Sequence, residues 1–122
     1  MPEFTVATTF YPLRLTAYMK SEVELTIEVT NGSDEPYWTE CTVEVPEVLS
    51  LVPDKELRRG KKRLGLVGPG ETLSGKCKIY TTARAYPDAY QIKVTTFGYA
   101  KDGAIGTRDE KKVDLRCERI SV

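Results

Sequence analysis

The sequence predicts an all-β protein in which seven short antiparallel strands form a sandwich of two sheets, with little or no helix. Three observations indicate this fold. Apolar and polar residues alternate along most of the chain, turns rich in glycine, proline and asparagine separate the alternating stretches, and no stretch carries the apolar stripe of a helix. The 122 residues fit one domain, residues 1–122, which is long enough to bury a core without a disulfide or a metal ion.

The first three predicted strands alternate most clearly. They cover residues 4–10, 22–30 and 37–45. In the second strand, valine, leucine and isoleucine occupy one face, and glutamate and threonine the other, as in a strand with one buried face. The Asn31-Gly32 pair that follows is a strong turn signal.

The later strands are shorter and lie between proline and glycine residues. Four are predicted, over residues 64–67, 73–79, 90–94 and 111–122. Gly68-Pro69-Gly70 forms the turn before the second of these, and Lys101-Asp102-Gly103 forms the hairpin tip before the last.

Residues 70–77, G-E-T-L-S-G-K-C, differ by one residue from the phosphate-binding pattern G-x-x-x-x-G-K-[ST]. A phosphate-binding loop must open a helix, because the backbone N–H groups at the helix N-terminus contact the phosphates. The residues after Lys76 instead alternate and favour a strand, with Lys76 and Lys78 exposed on it. The sequence therefore predicts no nucleotide site here.

Four phrases of the sequence resemble a known family. They are "ELTIEVTNGS", "CTVEVPEVLSL", "VGPGETLSGKCKI" and "YPDAYQIKV", and they are similar to the turns of CARDB and NEW3-type domains. The resemblance implies a seven-stranded antiparallel immunoglobulin-like β-sandwich, usually a non-catalytic adhesive or accessory module of larger archaeal or bacterial proteins. Such domains share no active site, so the resemblance transfers no functional residue. The chain departs from the family at Asp88-Ala89, where a glycine is usual.

The composition excludes several classes of function. Lys+Arg and Asp+Glu both number 18, so the whole molecule has no net attraction to nucleic acid or to an anionic membrane. Histidine is absent, which removes the commonest acid–base group and metal ligand. We therefore predict no enzyme activity, no cofactor and no metal. A single asparagine, a single glutamine and 30% charged residues are typical of thermophile proteins.

The chain has no apolar run of membrane-spanning length and no signal-peptide pattern. We expect a cytoplasmic protein or a module of a longer chain.

The three cysteines are Cys41, Cys77 and Cys117, separated by 36 and 40 residues and without a C-x-x-C pair. Each occupies an inward position of an alternating stretch, which predicts buried free thiols. A disulfide between two of them is the alternative.

The strongest charge feature is a basic segment, residues 55–63, predicted as a connection between strands. Arg84 and two other cations are expected at the same end of the sandwich, where nine basic and four acidic residues would give a net charge of +5. This end is a candidate site for a polyanion or an acidic surface. The alternative is a solvated loop. The candidate binding residues are Lys55, Arg58, Arg59, Lys61, Lys62, Arg63 and Arg84.

The second candidate site is an aromatic patch near the opposite end, formed by Tyr37, Trp38 and Tyr99 with Phe97 beside them. Exposed aromatic side chains would anchor a protein or sugar partner. The alternative is that they form the edge of the core. Tyr90, near the start of its strand, is expected to be buried and to fix the preceding corner.

From these observations we predict a non-enzymatic β-sandwich module for protein–protein interaction or assembly. The alternative function is an accessory polyanion-binding domain that uses residues 55–63. A protein partner is favoured over nucleic acid, and the sequence gives no partner identity and no oligomeric state.

Overall fold

The computed structural model describes residues 4–119, and in this range every regular element is a β-strand. The nine strands are β1 (Phe4–Tyr11), β2 (Arg14–Thr16), β3 (Glu22–Asn31), β4 (Tyr37–Glu44), β5 (Leu49–Ser50), β6 (Arg59–Val67), β7 (Thr72–Thr81), β8 (Asp88–Tyr99) and β9 (Ile105–Glu118). No helix in the described range is long and apolar enough to cross a membrane.

The strands form two sheets that enclose one core. The four-stranded sheet has the order β1-β3-β7-β5, and the five-stranded sheet has the order β2-β9-β8-β4-β6. Neighbouring strands are antiparallel except β2 and β9, which are parallel. The predicted all-β, two-sheet architecture is confirmed, but the number of strands is nine and not seven.

The differences from the predicted strands have a common cause. The two unpredicted strands, β2 and β5, contain three and two residues, which is too short for an alternating pattern to be recognised. β6 begins at Arg59 and β9 at Ile105, several residues before the predicted starts, because charged side chains there replace an alternating apolar pattern. The end of the predicted last strand, residues 120–122, lies outside the described residues.

The core consists of the inward side chains of both sheets. The alternation predicted in β3 is confirmed, since its four inward aliphatic residues are at most 1% exposed. Burial of each such side chain contributes roughly 2 kcal/mol relative to exposure. The largest fully buried aliphatic residues are Leu15, Val23, Leu25, Ile27, Val29, Leu49, Val67, Ile79, Ile92, Val94 and Leu115.

Asn31 fixes one end of the sandwich. The residue is fully buried, and its amide group donates to the carbonyl oxygens of Glu35 (2.7 Å) and Val67 (3.1 Å). Its side-chain oxygen accepts hydrogen bonds from the backbone N–H and the hydroxyl of Ser33. Asn31 therefore connects the turn after β3 to the end of β6. The sequence predicted only that Asn31 belongs to a turn.

The turn before β7 agrees with the prediction. Glu71 N–H donates to the Gly68 carbonyl (3.0 Å), and Gly70 has a φ of 76°, as the third position of a type II turn requires. Residues 72–81 then continue as a strand. Lys76 lies exposed on that strand 3.6 Å from Glu24, so the segment has none of the geometry of a phosphate-binding loop.

Tyr90 fixes the corner between β7 and β8, as predicted. Its hydroxyl donates to the Tyr86 carbonyl (2.7 Å) and accepts from the Tyr86 N–H (3.1 Å), while its ring is 5% exposed. Burial raises the pKa of this phenol, partly offset by the hydrogen bond to the Tyr86 backbone.

Candidate interaction surface

The outer face of the five-stranded sheet carries a row of large apolar side chains. Trp38 on β4 is opposite Leu66 on β6 and Tyr99 on β8, and Tyr99 is opposite Ile105 on β9. Leu66, Trp38 and Ile105 are 51%, 58% and 57% exposed. We call Leu66, Trp38, Tyr99 and Ile105 the apolar row. At a strand spacing of ~4.8 Å it crosses about 14 Å of the sheet.

Two β-bulges create this row. In β6, Arg63 is opposite Glu40 and Gly65 is opposite Thr39, so Leu64 is an extra residue between them. The Leu64 side chain points inward against Gly75 of the other sheet. The positive φ of Gly65, 111°, completes the bulge, and Leu66 is returned to the outer face.

The second bulge lies between β8 and β9. Gly98 is opposite Thr107, whereas Tyr99 is opposite Ile105, so Gly106 is the extra residue. A side chain at Gly106 would overlap the ring of Tyr37 in the core. The bulge thus returns Ile105 to the outer face beside Tyr99.

Aromatic and cationic groups extend the row along β8. The rings of Phe97 and Tyr99 are stacked, with centroids 6.3 Å apart and an interplanar angle of 28°. The guanidinium of Arg108 lies 5.9 Å from the centroid of Phe97. These contacts hold the two aromatic rings in fixed positions, which limits the entropy that they would lose on binding.

A cleft of about 430 Å³ opens beside Trp38 and Tyr99. Arg63 and Lys101 line it as cations and Glu40 as an anion, while Gly65 contributes no side chain. Its mixed lining is suited to a large amphipathic side chain of a partner.

The structure separates the members of the predicted aromatic patch. Trp38 lies on the outer face with Tyr99, as an exposed patch requires. Tyr37 does not belong to the patch, because it is 5% exposed and packs edge-on against Phe4 in the core, with ring centroids 5.6 Å apart. Successive residues of a strand point to opposite faces, so Tyr37 and Trp38 could not share one surface.

The predicted basic loop is mostly a strand. Arg59, Lys61, Lys62 and Arg63 belong to β6, and only Lys55 and Arg58 precede it. Because β6 runs along β4, Arg63 lies next to the apolar row, and the two candidate sites are not confined to opposite ends as predicted.

Several of these cations have acidic neighbours. Arg59 lies 3.4 Å from Glu44, and Glu40 lies within 4.0 Å of both Lys61 and Arg63. Arg84 pairs with Glu56 at 2.8 Å. Lys55, Arg58 and Lys62 make no ion pair with another described residue. The positive charge is therefore a line along β6 rather than one basic end.

Leu66 and Ile105 were not predicted as site residues. Leu66 precedes the buried Val67, so the pair forms a continuous apolar run in the sequence. Ile105 lies between an alanine and a glycine, where no alternation is visible. The pairing in the structure shows that both side chains are on the outer face, and the sign of each bulge in the sequence is one isolated glycine, Gly65 or Gly106.

A separate group of exposed apolar residues lies around β2. Tyr11, Leu13 and Tyr18 are 82%, 75% and 57% exposed. Arg119 lies 5.8 Å from the Tyr18 ring. Tyr11 ends β1, whereas Leu13 and Tyr18 lie in the connections on either side of β2. Because the three are not aligned across a sheet, they form a weaker candidate surface than the apolar row.

The three thiols are free, as predicted, although Cys77 is half-buried rather than fully buried. Burial raises the pKa of Cys77 to about 11, with a smaller opposing effect from Lys62. Burial also raises the pKa of Cys41 and of Cys117. Thiols held in the protonated form are poor nucleophiles at neutral pH.

No protein-family model matches the chain, and no curated protein sequence matches it. Solved structures with a similar fold exist at low sequence identity. A fragment of native α2-macroglobulin from Escherichia coli, from domain MG7 to the C-terminus, matches with a TM-score of 0.68 and 14% identity over 95% of this chain. The sporulation control protein Spo0M from Bacillus subtilis matches with a TM-score of 0.58 and 13% identity over 98% of this chain.

A third similar structure is AvmM, described as catalysing macrocyclization in alchivemycin A biosynthesis, with a TM-score of 0.59 and 8% identity over 100% of this chain. The match spans 16% of the macroglobulin fragment, 51% of Spo0M and 92% of AvmM. At these identities the comparisons show the β-sandwich fold alone. They do not extend the resemblance to CARDB domains beyond that fold.

Proposed function

We propose that this chain is a non-enzymatic β-sandwich module that binds a protein partner through the apolar row. The observation that carries the proposal is the alignment of four large apolar side chains across four adjacent strands of one exposed face. Large apolar and aromatic groups grouped on a rigid surface are typical of binding hot spots. The CARDB-like turns of the sequence support the same class of module.

A non-enzymatic role is supported by the chemistry of the side chains. The chain has no histidine, and the thiols are kept protonated by burial. Since AvmM has this fold and its description names a catalytic activity, the fold itself does not decide the question.

The proposal is tested with a photo-crosslinking amino acid at position 101, which lines the cleft beside Trp38, and at position 76 on the other sheet as a control. A protein crosslinked only from position 101 is purified, and its affinity for the unmodified protein and its variants is measured by calorimetry. Trp38→Ala and Tyr99→Ala should each weaken binding by about tenfold or more, as expected for hot-spot residues. Lys76→Ala should leave the affinity unchanged. Equal affinities for the unsubstituted protein and the three variants would refute the proposal.

Polyanion binding is the second candidate function. It is favoured by the presence of Arg63 and Lys101 in the same cleft as Trp38 and Tyr99, because cations beside aromatic rings are the elements of single-stranded nucleic acid sites. An amide NMR titration with a single-stranded DNA oligonucleotide or a heparin fragment tests it at low and moderate salt. Salt-sensitive shifts along β6 and at Arg84 would support this candidate, and unchanged spectra at low salt would exclude it.

A further inference from the structure

β6 has an open edge. The sheets have four edge strands, but β2 and β5 are so short that β9 before residue 116 and β7 before residue 80 are also unpaired on one side. On β1, the Val6 carbonyl accepts a hydrogen bond from Lys111 Nζ (3.1 Å), which covers part of that edge. β6 has nine residues and, among the described strands, pairs with β4 alone; its charge distinguishes it from the other unpaired edges. On its other side, among the described residues, only the Asn31 amide makes a hydrogen bond to it, at the Val67 carbonyl.

The open edge is strongly basic. β6 contains four cations and no acidic residue. The side chains of Arg59, Lys61 and Arg63 on the outer face are 67%, 68% and 91% exposed. Among the described residues, Glu44 and Glu40 are the only carboxylates at ion-pair distance from them, so three cations share two carboxylates. Arg59–Glu44 is an exposed pair of the weak kind. The Glu40 side chain is largely buried, but its contacts with Lys61 and Arg63 are long, at 3.7 and 4.0 Å, so both cations can contact a partner.

We propose that the edge of β6 accepts an extended acidic segment of a protein partner by strand addition. The backbone N–H and C=O groups of residues 59–63, before the bulge, would hydrogen-bond to the added strand. Acidic residues at alternate positions of that strand would lie opposite Arg59, Lys61 and Arg63, where opposite charges on paired strands are stabilising. This inference rests on the proposed function and specifies the class of partner.

Charge determines which occupant the edge accepts. A second copy of β6 would place arginine and lysine opposite arginine and lysine, and like charges on paired strands are destabilising. A nucleic acid would neutralise the charge but has no peptide groups to complete a strand ladder. An extended acidic peptide satisfies both the backbone groups and the side chains.

The apolar row continues the same binding surface. Beyond the bulge, Leu66 on β6 is opposite Trp38 on β4, and the cleft beside Trp38 is lined by Arg63. An apolar side chain that follows the acidic stretch of the segment would therefore reach Trp38. The edge would select an extended acidic segment, and the row would hold its apolar end.

The experiment selects peptides from a random decapeptide library displayed on phage, with the intact protein as bait. Enriched peptides should carry Asp or Glu at alternate positions and no internal proline. A synthetic peptide from this pool is then bound to the labelled protein. Alternate amides of β6 should gain protection from hydrogen exchange, because only the edge-facing N–H groups acquire a partner.

Two variants distinguish this inference from the proposed function. Lys61→Gln/Arg63→Gln should weaken binding of the peptide by about tenfold, since two opposed charge pairs are lost. Lys76→Gln/Lys78→Gln, which removes the same charge from β7 on the other sheet, should have no effect. If acidic peptides are not enriched, or if the amides of β6 gain no protection from hydrogen exchange, the inference of strand addition is wrong. Loss of peptide binding in Trp38→Ala together with unchanged binding in Lys61→Gln/Arg63→Gln would retain the proposed function and reject strand addition.

Discussion

Asn31 satisfies four polar groups at the end of the sandwich where β3 and β6 terminate. Its side chain uses both amide hydrogens and both lone pairs of its oxygen, and no part of the residue is exposed. A buried polar group that loses its partner costs about 1–3 kcal/mol. Few side chains other than asparagine present two donors and an acceptor at this length.

Asn31→Ala should therefore lower the free energy of unfolding by about 3 kcal/mol, because the buried Val67 carbonyl and the part-buried N–H of Ser33 lose their partners. Urea denaturation followed by circular dichroism measures the change. Ser33→Ala is the matched control, since it removes a half-exposed hydroxyl from the same cluster and should cost less than half as much. A cost for Asn31→Ala no greater than that of the control would show that water replaces the amide.

Cys77 makes stability depend on pH in the alkaline range. Burial raises its pKa in the folded protein from the usual 9.0 to about 11. Between these values the unfolded chain has lost a proton that the folded chain retains, so the free energy of unfolding falls as pH rises. Below pH 9.0 the contribution is fully present.

Cys77→Ala should weaken this pH dependence. Leu73→Ala, a substitution at another inward position of β7, should lower the free energy of unfolding but leave its pH dependence unchanged. The measurement is the urea midpoint at several pH values from about 8 to 11 in the presence of a reductant. This range covers the interval between the pKa values of Cys77 in the unfolded and the folded protein. Cys41, Cys117 and Tyr90 also have raised pKa values, so a pH dependence of the same sign should remain. Identical pH profiles for the two variants would contradict the assignment.

At the scale of elements, the sequence predicts strands better than it predicts their ends. The strands around Leu25 and Ile92 follow from strict alternation, because one of their faces lies in the core. The bulge at Leu64 breaks the alternation of β6, and the charged residues before it hide the start of the strand. The outward position of Leu66 therefore could not be predicted.

Gly65→Ala tests the bulge that creates the apolar row. No atom lies within 4 Å of an added Cβ, so the cost arises only from the positive φ of 111°. The substitution should lower the free energy of unfolding by about 1–2 kcal/mol. It should also shift the fluorescence of Trp38, the single tryptophan of the chain.

The control for this substitution is Gly60→Ala on the same strand. Gly60 does not have a positive φ, and its added Cβ would lie 3.1 Å from the flexible end of Leu51. We expect a smaller loss of stability and no change in the emission of Trp38. Equal costs for the two variants would mean that the conformation of Gly65 is not what holds the bulge.

At the scale of the whole molecule, the positive and negative charges are equal in number but unevenly distributed. The net charge is zero, yet β6 carries four cations on an open edge. The sequence indicated the basic segment and the aromatic residues, but it placed them at opposite ends. Their adjacency follows from the pairing of β4 with β6, a long-range contact that no local pattern reports.

The cations of β6 should also prevent the protein from pairing with its own copies. An open strand edge associates with other edges unless charged side chains oppose it. Lys61→Val/Arg63→Val removes this opposition and adds two strand-forming residues, so the variant should self-associate as its concentration rises. Sedimentation velocity measures the distribution of oligomers.

Lys76→Val/Lys78→Val is the matched control for this prediction, because it removes two cations that also lie beside glutamates. Those residues belong to β7, which pairs with β3 on one side and with β5 only at residues 80 and 81 on the other, so its edge beside Lys76 and Lys78 is also unpaired. If surface hydrophobicity or any unpaired edge is enough to drive association, both variants should form oligomers to the same extent. If the edge of β6 drives it, only Lys61→Val/Arg63→Val should do so, and a peptide that adds to β6 should reverse the association.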